Sequence, residues 1–203
     1  MKVPVAVLIS GGGTNLAALI EAAEHPDFPA RIAVVISNRR HAYGRERAKA
    51  AGIPDVWLWH KKFDSREQYD AALVEVLRQH EVEWVCLAGF MRIVTPVFLD
   101  AFPGRVINIH PALLPAFPGV DGVQQAFDYG VKVAGATVHF VDTGTDTGPI
   151  ICQGCVPVLP DDDVDTLKAR VLTVEHQLFP QALRWATQGR LKIVGRKVQV
   201  IPA

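Results

Sequence analysis

The sequence predicts a single α/β domain: a mostly parallel sheet with helices on both faces and antiparallel strands added to it. Short apolar runs rich in branched residues alternate with helical patterns through the first half, as strands buried on both sides do. Two further strand-like runs, Val133 to Val141 and Pro149 to Val158, are joined by a loop too short for a crossover, so they should pair antiparallel. The length of 203 residues fits one domain, since length divided by roughly 150 is only a soft prior.

Val3 to Ser10 reads as the first buried strand, and Gly11-Gly12-Gly13-Thr14-Asn15 then turns into a helix over Leu16 to Glu24. Arg31 to Ser37 is a second strand, followed by a helix over Tyr43 to Ala51 that Gly52 and Pro54 end. Asp55 to Trp59 is a short third strand. Ser65 to His80 places Tyr69, Leu73, Val76 and Leu77 on one helical stripe, and Trp84 to Ala88 follows as a strand. Val106 to His110 is another, stopped by Pro111. Asp161, Asp162 and Asp163 offer caps to a long amphipathic helix marked by Val164, Leu167, Val171, Leu172, Leu178 and Leu183, which Pro180 should kink or interrupt. Leu191 to Val200 reads as a marginal hairpin.

Composition narrows the function. Hydrophobic residues make up 49% and charged ones 21%, ordinary globular values without a low-complexity tract. The 21 basic and 21 acidic residues cancel, so no broad footprint for nucleic acid is expected and an anionic ligand must be held locally. No stretch approaches the roughly 18 to 20 apolar residues of a membrane helix. Lys2 and the run Val3 to Ile9 imitate a short signal peptide but lack a cleavage pattern, so a cytoplasmic protein is expected. Three cysteines, an odd number, agree with that. Cys152 and Cys155 form a C-x-x-C, yet on a strand they face opposite sides and no second Cys/His pair completes a zinc site. Asp142 and Asp146 have calcium-loop spacing, but Gly144 stands between them and no Glu closes the loop. No metal is expected.

The chemistry concentrates in Val106-Ile107-Asn108-Ile109-His110-Pro111 and in Asp142-Thr143-Gly144-Thr145-Asp146-Thr147-Gly148. Residues two apart on a strand share a face, so Asn108 and His110 should project side by side. An amide that can donate to an oxyanion beside an imidazole that can carry a proton suits a tetrahedral intermediate at a carbonyl carbon. Asp146 could orient His110 and favour its protonated form. Ser, Cys and Lys are absent from Val106 to Pro111, which favours transfer to an external nucleophile over a covalent acyl-enzyme. The plainer alternative is a satisfied hydrogen-bonding pair.

The glycine loop is a candidate anion cradle, because small residues let backbone N–H groups and a helix N-terminus approach a phosphate. It lacks the Gly-Lys-Ser/Thr of Walker A, and Leu16 stands at the third glycine of the dinucleotide pattern. Gly11 to Asn15, Gly89-Phe90-Met91-Arg92 and His110-Pro111 each follow a strand, which gathers them on one edge of a parallel sheet. Met91-Arg92-Ile93-Val94 reads either as the lining of a flat aromatic pocket or as core with one exposed Arg. Arg66 and Glu175 read as surface charges, and the cluster of Arg39, Arg40, Arg45, Arg47 and Lys49 as a solvated basic face. For His139 a satisfied sheet histidine and a functional one both stay open.

Together these segments resemble the phosphoribosylglycinamide formyltransferase family, from Val5 to Leu191. The resemblance rests on Ile9 to Leu16, Phe63-Asp64-Ser65-Arg66, Leu87 to Ile93, Asn108-Ile109-His110-Pro111, Thr137 to Val141 and Asp146-Thr147-Gly148-Pro149 in combination. It implies a single-domain Rossmann-like formyltransferase fold over 1–203, with a ribonucleotide-binding half (1–100) and a catalytic and folate-binding half (101–203). It implies transfer of the formyl group of 10-formyltetrahydrofolate, a cosubstrate, to the amine of glycinamide ribonucleotide in purine synthesis. Asn108, His110 and Asp146 match the catalytic residues, Gly13, Thr14 and Asn15 the phosphate loop, and Arg66 and Glu175 ribonucleotide contacts. The pterin would lie along Met91, Arg92, Ile93 and Val94 and the loop carrying Val141, Asp142 and Asp146. Partners would be small molecules, neither nucleic acid nor membrane, and the protein a monomer or homodimer.

Two departures stand out: Val120-Asp121-Gly122-Val123 replaces a histidine-bearing loop usual in the family, and Ala112 replaces a usual Ser. Methionyl-tRNA formyltransferase and formyltetrahydrofolate deformylase share the Asn, His and Asp logic, but each carries an extra domain for which the length is expected to leave no room. Further alternatives are a 10-formyltetrahydrofolate hydrolase and a non-catalytic phosphate-binding or NADP-binding module, the last using Asn38-Arg39-Arg40 on a 2′-phosphate.

Overall fold

The computed structural model describes residues 1–202; Ala203, the last residue of the expected domain, lies outside them. Seven strands form the main sheet: β1 (Val3–Ile9), β2 (Ala30–Ser37), β3 (Asp55–Trp57), β4 (Trp84–Leu87), β5 (Val106–His110), β6 (Val133–Phe140) and β7 (Ile150–Pro157). Their order is β3-β2-β1-β4-β5-β6-β7. β1 to β5 pair in parallel, and β6 and β7 are added antiparallel, as the loop between them requires. Helices α1 (Thr14–Glu24), α2 (Tyr43–Ala50), α3 (Arg66–Gln79), α4 (Pro96–Ala101), α5 (Gly122–Tyr129) and α6 (Val164–Thr187) cover the sheet, and β8 (Leu191–Val194) pairs with β9 (Lys197–Val200) as a separate hairpin.

The continuous apolar run of β1 is explained by two cores, one on each face of the sheet. Val5, Val7 and Ile9 join Leu16 and Leu19 of α1 and Leu167, Val171 and Phe179 of α6. The alternating Ala6 and Leu8 join Tyr69, Leu73 and Leu77 of α3 and Phe98 of α4. Burial of each such large side chain is worth about 1.5 to 3 kcal/mol, which makes β1 the axis of the fold.

Three expectations need correction. The third strand stops at Trp57, and a 3₁₀ turn at His60–Lys62 leads towards α3. The short helices α4 and α5 had no counterpart in the sequence reading; α4 starts on Pro96 and α5 on Gly122, and neither is long enough to establish a clear 3.6-residue period. α6 is not interrupted at Pro180 but continues to Thr187, with Asp163 as its N-cap accepting the Thr166 N–H. A proline inside a helix costs about 3 kcal/mol. Phe179, Ala182 and Leu183, all essentially inaccessible to solvent, hold the helix on the sheet across that position.

The sheet order reverses between β1 and β4, so their following loops part to opposite sides and leave a crevice at the strands' carboxyl ends. Residues 10–15, 88–95 and 110–122 all border that edge.

Candidate active site

A cleft of about 750 Å³ opens there. It brings together Asn15, Arg66, Met91, Arg92, Ile93, Val94, Asn108, His110, Val141, Asp142, Asp146 and Glu175 from the sequence-derived candidates. Gly13 and Thr14 are not in its lining. Thr14 faces a second groove, between α1 and α6. Gly13 is left-handed (φ 69°) and meets α2 so closely that a Cβ there would lie 2.6 Å from the Gly44 Cα. That contact turns the chain into α1, whose N-terminus has no side-chain cap and no acidic residue in its first turn. Its N–H groups therefore stay available to an anion.

Asn108 and His110 project from one face of β5, as their spacing requires. Across the ladder Asn108 lies opposite His139 of β6 and His110 opposite Thr137. The Asn108 Nδ2 is 3.1 Å from His139 Nε2 and 3.4 Å from Asp146 Oδ1. His139 Nδ1 faces the Phe140 carbonyl at 2.8 Å, and its Nε2 lies between the Asn108 amide and Asp146 Oδ1, 3.6 Å away. The buried His139 is thus a fourth member beside Asn108, His110 and Asp146, which the sequence left open because alternation gives a residue's face but not the residue opposite it.

His110 is also buried, with Nε2 2.8 Å from the Phe117 carbonyl and Nδ1 3.3 Å from Asp146 Oδ2. Both ring nitrogens face oxygens, an arrangement fully satisfied by an imidazolium with two N–H donors. Asp146 has a left-handed backbone (φ 54°) and accepts the Gly119 N–H at 2.8 Å. Burial pushes its pKa up, but the His139 hydrogen bond, the Gly119 N–H and the charges of His110 and His139 outweigh that and hold it below the ordinary carboxylate value. Gly148 brings the loop back beside the Phe140 carbonyl, too close for any side chain.

Gly122 and Ala112, where the resemblance implies other residues, lie side by side. A Cβ at Gly122 would sit 3.1 Å from the Ala112 Cβ, from His110 Nε2 and from the Phe117 carbonyl. The pair of small residues lets the start of α5 press directly on the catalytic-candidate imidazole.

Glu175 corrects the surface-charge reading. It is buried at the cleft and accepts a 2.6 Å hydrogen bond from Asn15 Nδ2, while Asn15 Oδ1 is buried without a partner. Burial raises the Glu175 pKa, partly offset by the Asn15 donor. Arg66 stays exposed at the rim. Met91 and Ile93 are 59% and 51% exposed, apolar side chains turned into the cleft mouth, while Val94 is core. The segment therefore combines both readings that the sequence left open.

The features assigned to other chemistries are dispersed or engaged. Asn38 is buried and accepts the Ser10 hydroxyl, Arg40 stacks on Trp57, and Leu16 is wholly buried, so of the dinucleotide alternative's grip residues only the exposed Arg39 is uncommitted. Of the basic cluster, Arg45 is bound to Asp55 and Arg47 to the Gly12 carbonyl. Cys152 and Cys155 are free thiols, and among the described residues no group of three or more His, Cys, Asp or Glu side chains is placed to hold a metal. No described helix is long and apolar enough to cross a membrane.

A parallel α/β sheet with an anion-ready helix start beside an Asn, His and Asp cluster defines a Rossmann-like protein suited to group transfer at a carbonyl carbon. The chain belongs to the formyl transferase family, whose sequence model matches residues 3–183. It is 43% identical over 189 residues to the phosphoribosylglycinamide formyltransferase of Haemophilus influenzae, covering 93% of this chain and 89% of that one. It is 49% identical over 187 residues to the trifunctional purine biosynthetic protein adenosine-3 of Drosophila melanogaster, covering 91% of this chain but spanning only 14% of that much longer protein. A crystal structure of glycinamide ribonucleotide transformylase 1 from Symbiobacterium toebii superposes with a TM-score of 0.97 at 50% identity, covering 99% of this chain and 95% of that one.

Proposed function

We propose that this protein transfers the formyl group of 10-formyltetrahydrofolate to the primary amine of glycinamide ribonucleotide, giving formylglycinamide ribonucleotide and tetrahydrofolate in purine synthesis. The observation that carries the reading is Asp146, set within 3.6 Å of His110, Asn108 and His139 in a cleft with an anion-ready helix on one side and exposed apolar side chains on the other.

The residues divide between the substrates. Gly13, Thr14 and Asn15 at the start of α1 hold the phosphate through backbone N–H groups, and Arg66 closes on it from the rim. Glu175 accepts from the ribonucleotide's hydroxyl donors, and the unpartnered Asn15 Oδ1 offers a second acceptor beside it. Met91, Arg92, Ile93 and Val94 form one wall for a flat pterin, and Val141, Asp142 and the backbone towards Asp146 form the other. A cleft of about 750 Å³ accommodates both substrates in this arrangement.

As the neutral amine attacks the formyl carbon, Asn108 turns the amide N–H that lies 3.4 Å from Asp146 Oδ1 to the developing oxyanion. Protonated His110 adds Nε2–H, exchanging the Phe117 carbonyl for the oxyanion. The new C–N bond leaves a proton on the attacking nitrogen, and Asp146 accepts it, through water, and passes it to the departing folate nitrogen. The carbonyl re-forms as the old C–N bond breaks, so no covalent enzyme intermediate is needed.

The direct test follows loss of 10-formyltetrahydrofolate by absorbance, with and without glycinamide ribonucleotide, and identifies the product by mass. Loss only with the amine, with stoichiometric formylated product, is the expected result. Equal loss without the amine would make the protein a hydrolase, and no loss in either case would make it a binding relative.

Glu175 yields a second expectation, on stability. Its raised folded-state pKa means that the unfolded chain ionises first, so a penalty on folding grows as pH rises through the unfolded value, about 4.3, and is complete above the folded one. Glu175→Gln keeps an oxygen for Asn15 and removes the buried charge. Its thermal midpoint should exceed that of the parent at neutral pH and converge with it near pH 4, while the KM for the ribonucleotide rises about tenfold from loss of a charge-assisted hydrogen bond. A lower midpoint at neutral pH would contradict the argument.

A further inference from the structure

The wall that meets the folate has no regular structure of its own. Between the end of β4 at Leu87 and the start of α4 at Pro96 the chain crosses the cleft mouth as irregular backbone, exposing Met91 and Ile93. A flat ligand needs that backbone in one shape, and such shape must come from outside the segment.

Two buried polar side chains from distant parts of the sequence grip it. At its start, the Ser10 N–H donates to the Gly89 carbonyl at 3.1 Å and the Met91 N–H donates to Ser10 Oγ at 2.8 Å. The same hydroxyl donates to Asn38 Oδ1 at 2.6 Å, which fixes its rotor so that a lone pair faces Met91. At its end, Asp70 of α3 accepts the Thr95 N–H at 2.6 Å. Ser10, Asn38 and Asp70 are buried and, unlike the equally buried His110 and Glu175, do not line the cleft, so they act on it only through the segment they hold. Burial raises the Asp70 pKa, with the Thr95 N–H and the nearby Arg92 charge pulling the other way. Arg92 lies over the ring of Tyr69, the neighbour of Asp70 in sequence, at 4.7 Å, so α3 holds the far end of the segment by a hydrogen bond and backs its middle by a stacking contact. A carboxyl group this deep in an apolar core is costly unless it has partners.

We propose that Ser10 and Asp70 are positioning residues for the formyl donor, pinning the two ends of the Gly89–Thr95 segment so that its middle presents a preformed wall to the pterin. The inference rests on the placement of the folate proposed above. Ser10 has a second consequence: it is the last residue before Gly11, so the side chain that anchors the donor wall also fixes the root of the phosphate loop.

Steady-state kinetics on Ser10→Ala, Asp70→Asn and Ile93→Asp test the proposal, with folding checked by circular dichroism. Ser10→Ala leaves the Met91 N–H without its acceptor. Asp70→Asn keeps the shape but weakens the hold on Thr95. Each lost or weakened buried hydrogen bond should loosen the segment by an amount read as a rise in KM for 10-formyltetrahydrofolate of about fivefold to tenfold. Turnover at saturation should stay within about threefold, because neither side chain approaches the reacting atoms. For Asp70→Asn the KM for glycinamide ribonucleotide should be unchanged. Ile93→Asp places a charge directly on the proposed pterin wall and should raise the donor KM whether or not the segment is pinned. If Ile93→Asp raises it while folded Ser10→Ala and Asp70→Asn do not, or if those variants lose turnover with the donor KM unchanged, the positioning role is overturned and the folate placement stands. If Ile93→Asp leaves the donor KM unchanged, the folate placement itself falls and takes this inference with it. Should Asp70→Asn fail to fold, Ser10→Ala decides the question alone.

Discussion

Asn108→Ala is expected to lower turnover by about 10² to 10³, the range for removal of one oxyanion donor. The KM values should change little, because the amide gains its partner only as charge develops on the formyl oxygen. The fold should survive, since Asn108 is only partly buried and its main tie is to His139. His110→Ala belongs to the same experiment, with an expected loss of about 10² to 10⁴ for a positioned proton donor. The two losses should not add, because His110 and Asn108 share both the oxyanion and the Asp146 carboxylate. Turnover within a fewfold of the parent in either variant would remove that residue from the oxyanion site and leave it as a structural hydrogen-bonding partner.

The parts of this site visible in the sequence are those set by local geometry. Asn108 and His110 share a face because a strand repeats every two residues, and the glycine loop announces its turn by composition. Strands of the parallel sheet were legible for the same reason, each being an apolar run bounded by a break. What stayed hidden was decided at a distance. Glu175 lies in a helix whose apolar stripe says which side is core, but its burial follows from Asn15, 160 residues away in sequence. His139 depends on the register that sets it opposite Asn108. Asp70 looks like any charge on α3 until α4 folds its N-cap residue Thr95 onto it. Pro180 does not interrupt its helix, because a local rule about helix interiors yields when neighbouring side chains are buried strongly enough.

Asp146→Asn separates the two roles assigned to the carboxylate, orientation and proton transfer. Asparagine suits the position sterically, since the backbone there is left-handed and Asn tolerates that region well. Electrostatically it does not. The Gly119 N–H, the Asn108 amide and the two imidazoles all converge on the two carboxylate oxygens, and an amide offers one oxygen and one donor. Turnover should fall at least about a hundredfold at neutral pH, as loss of a positioned base would give. The pH dependence adds a sign that can be checked. Because the folded-state pKa of Asp146 is lowered, its contribution to stability is fully present above the unfolded value of about 3.9 and is lost as pH falls through the lower folded value. The parent should therefore lose stability on acidification through that window, and Asp146→Asn should lose less of its own stability there, although it starts from a lower value at neutral pH. An acid stability profile parallel to the parent's would mean that the carboxylate is not held ionised by His139, Gly119 and His110. A residual turnover that no longer falls towards acid would identify the ionised Asp146 as the group whose protonation stops the proton relay.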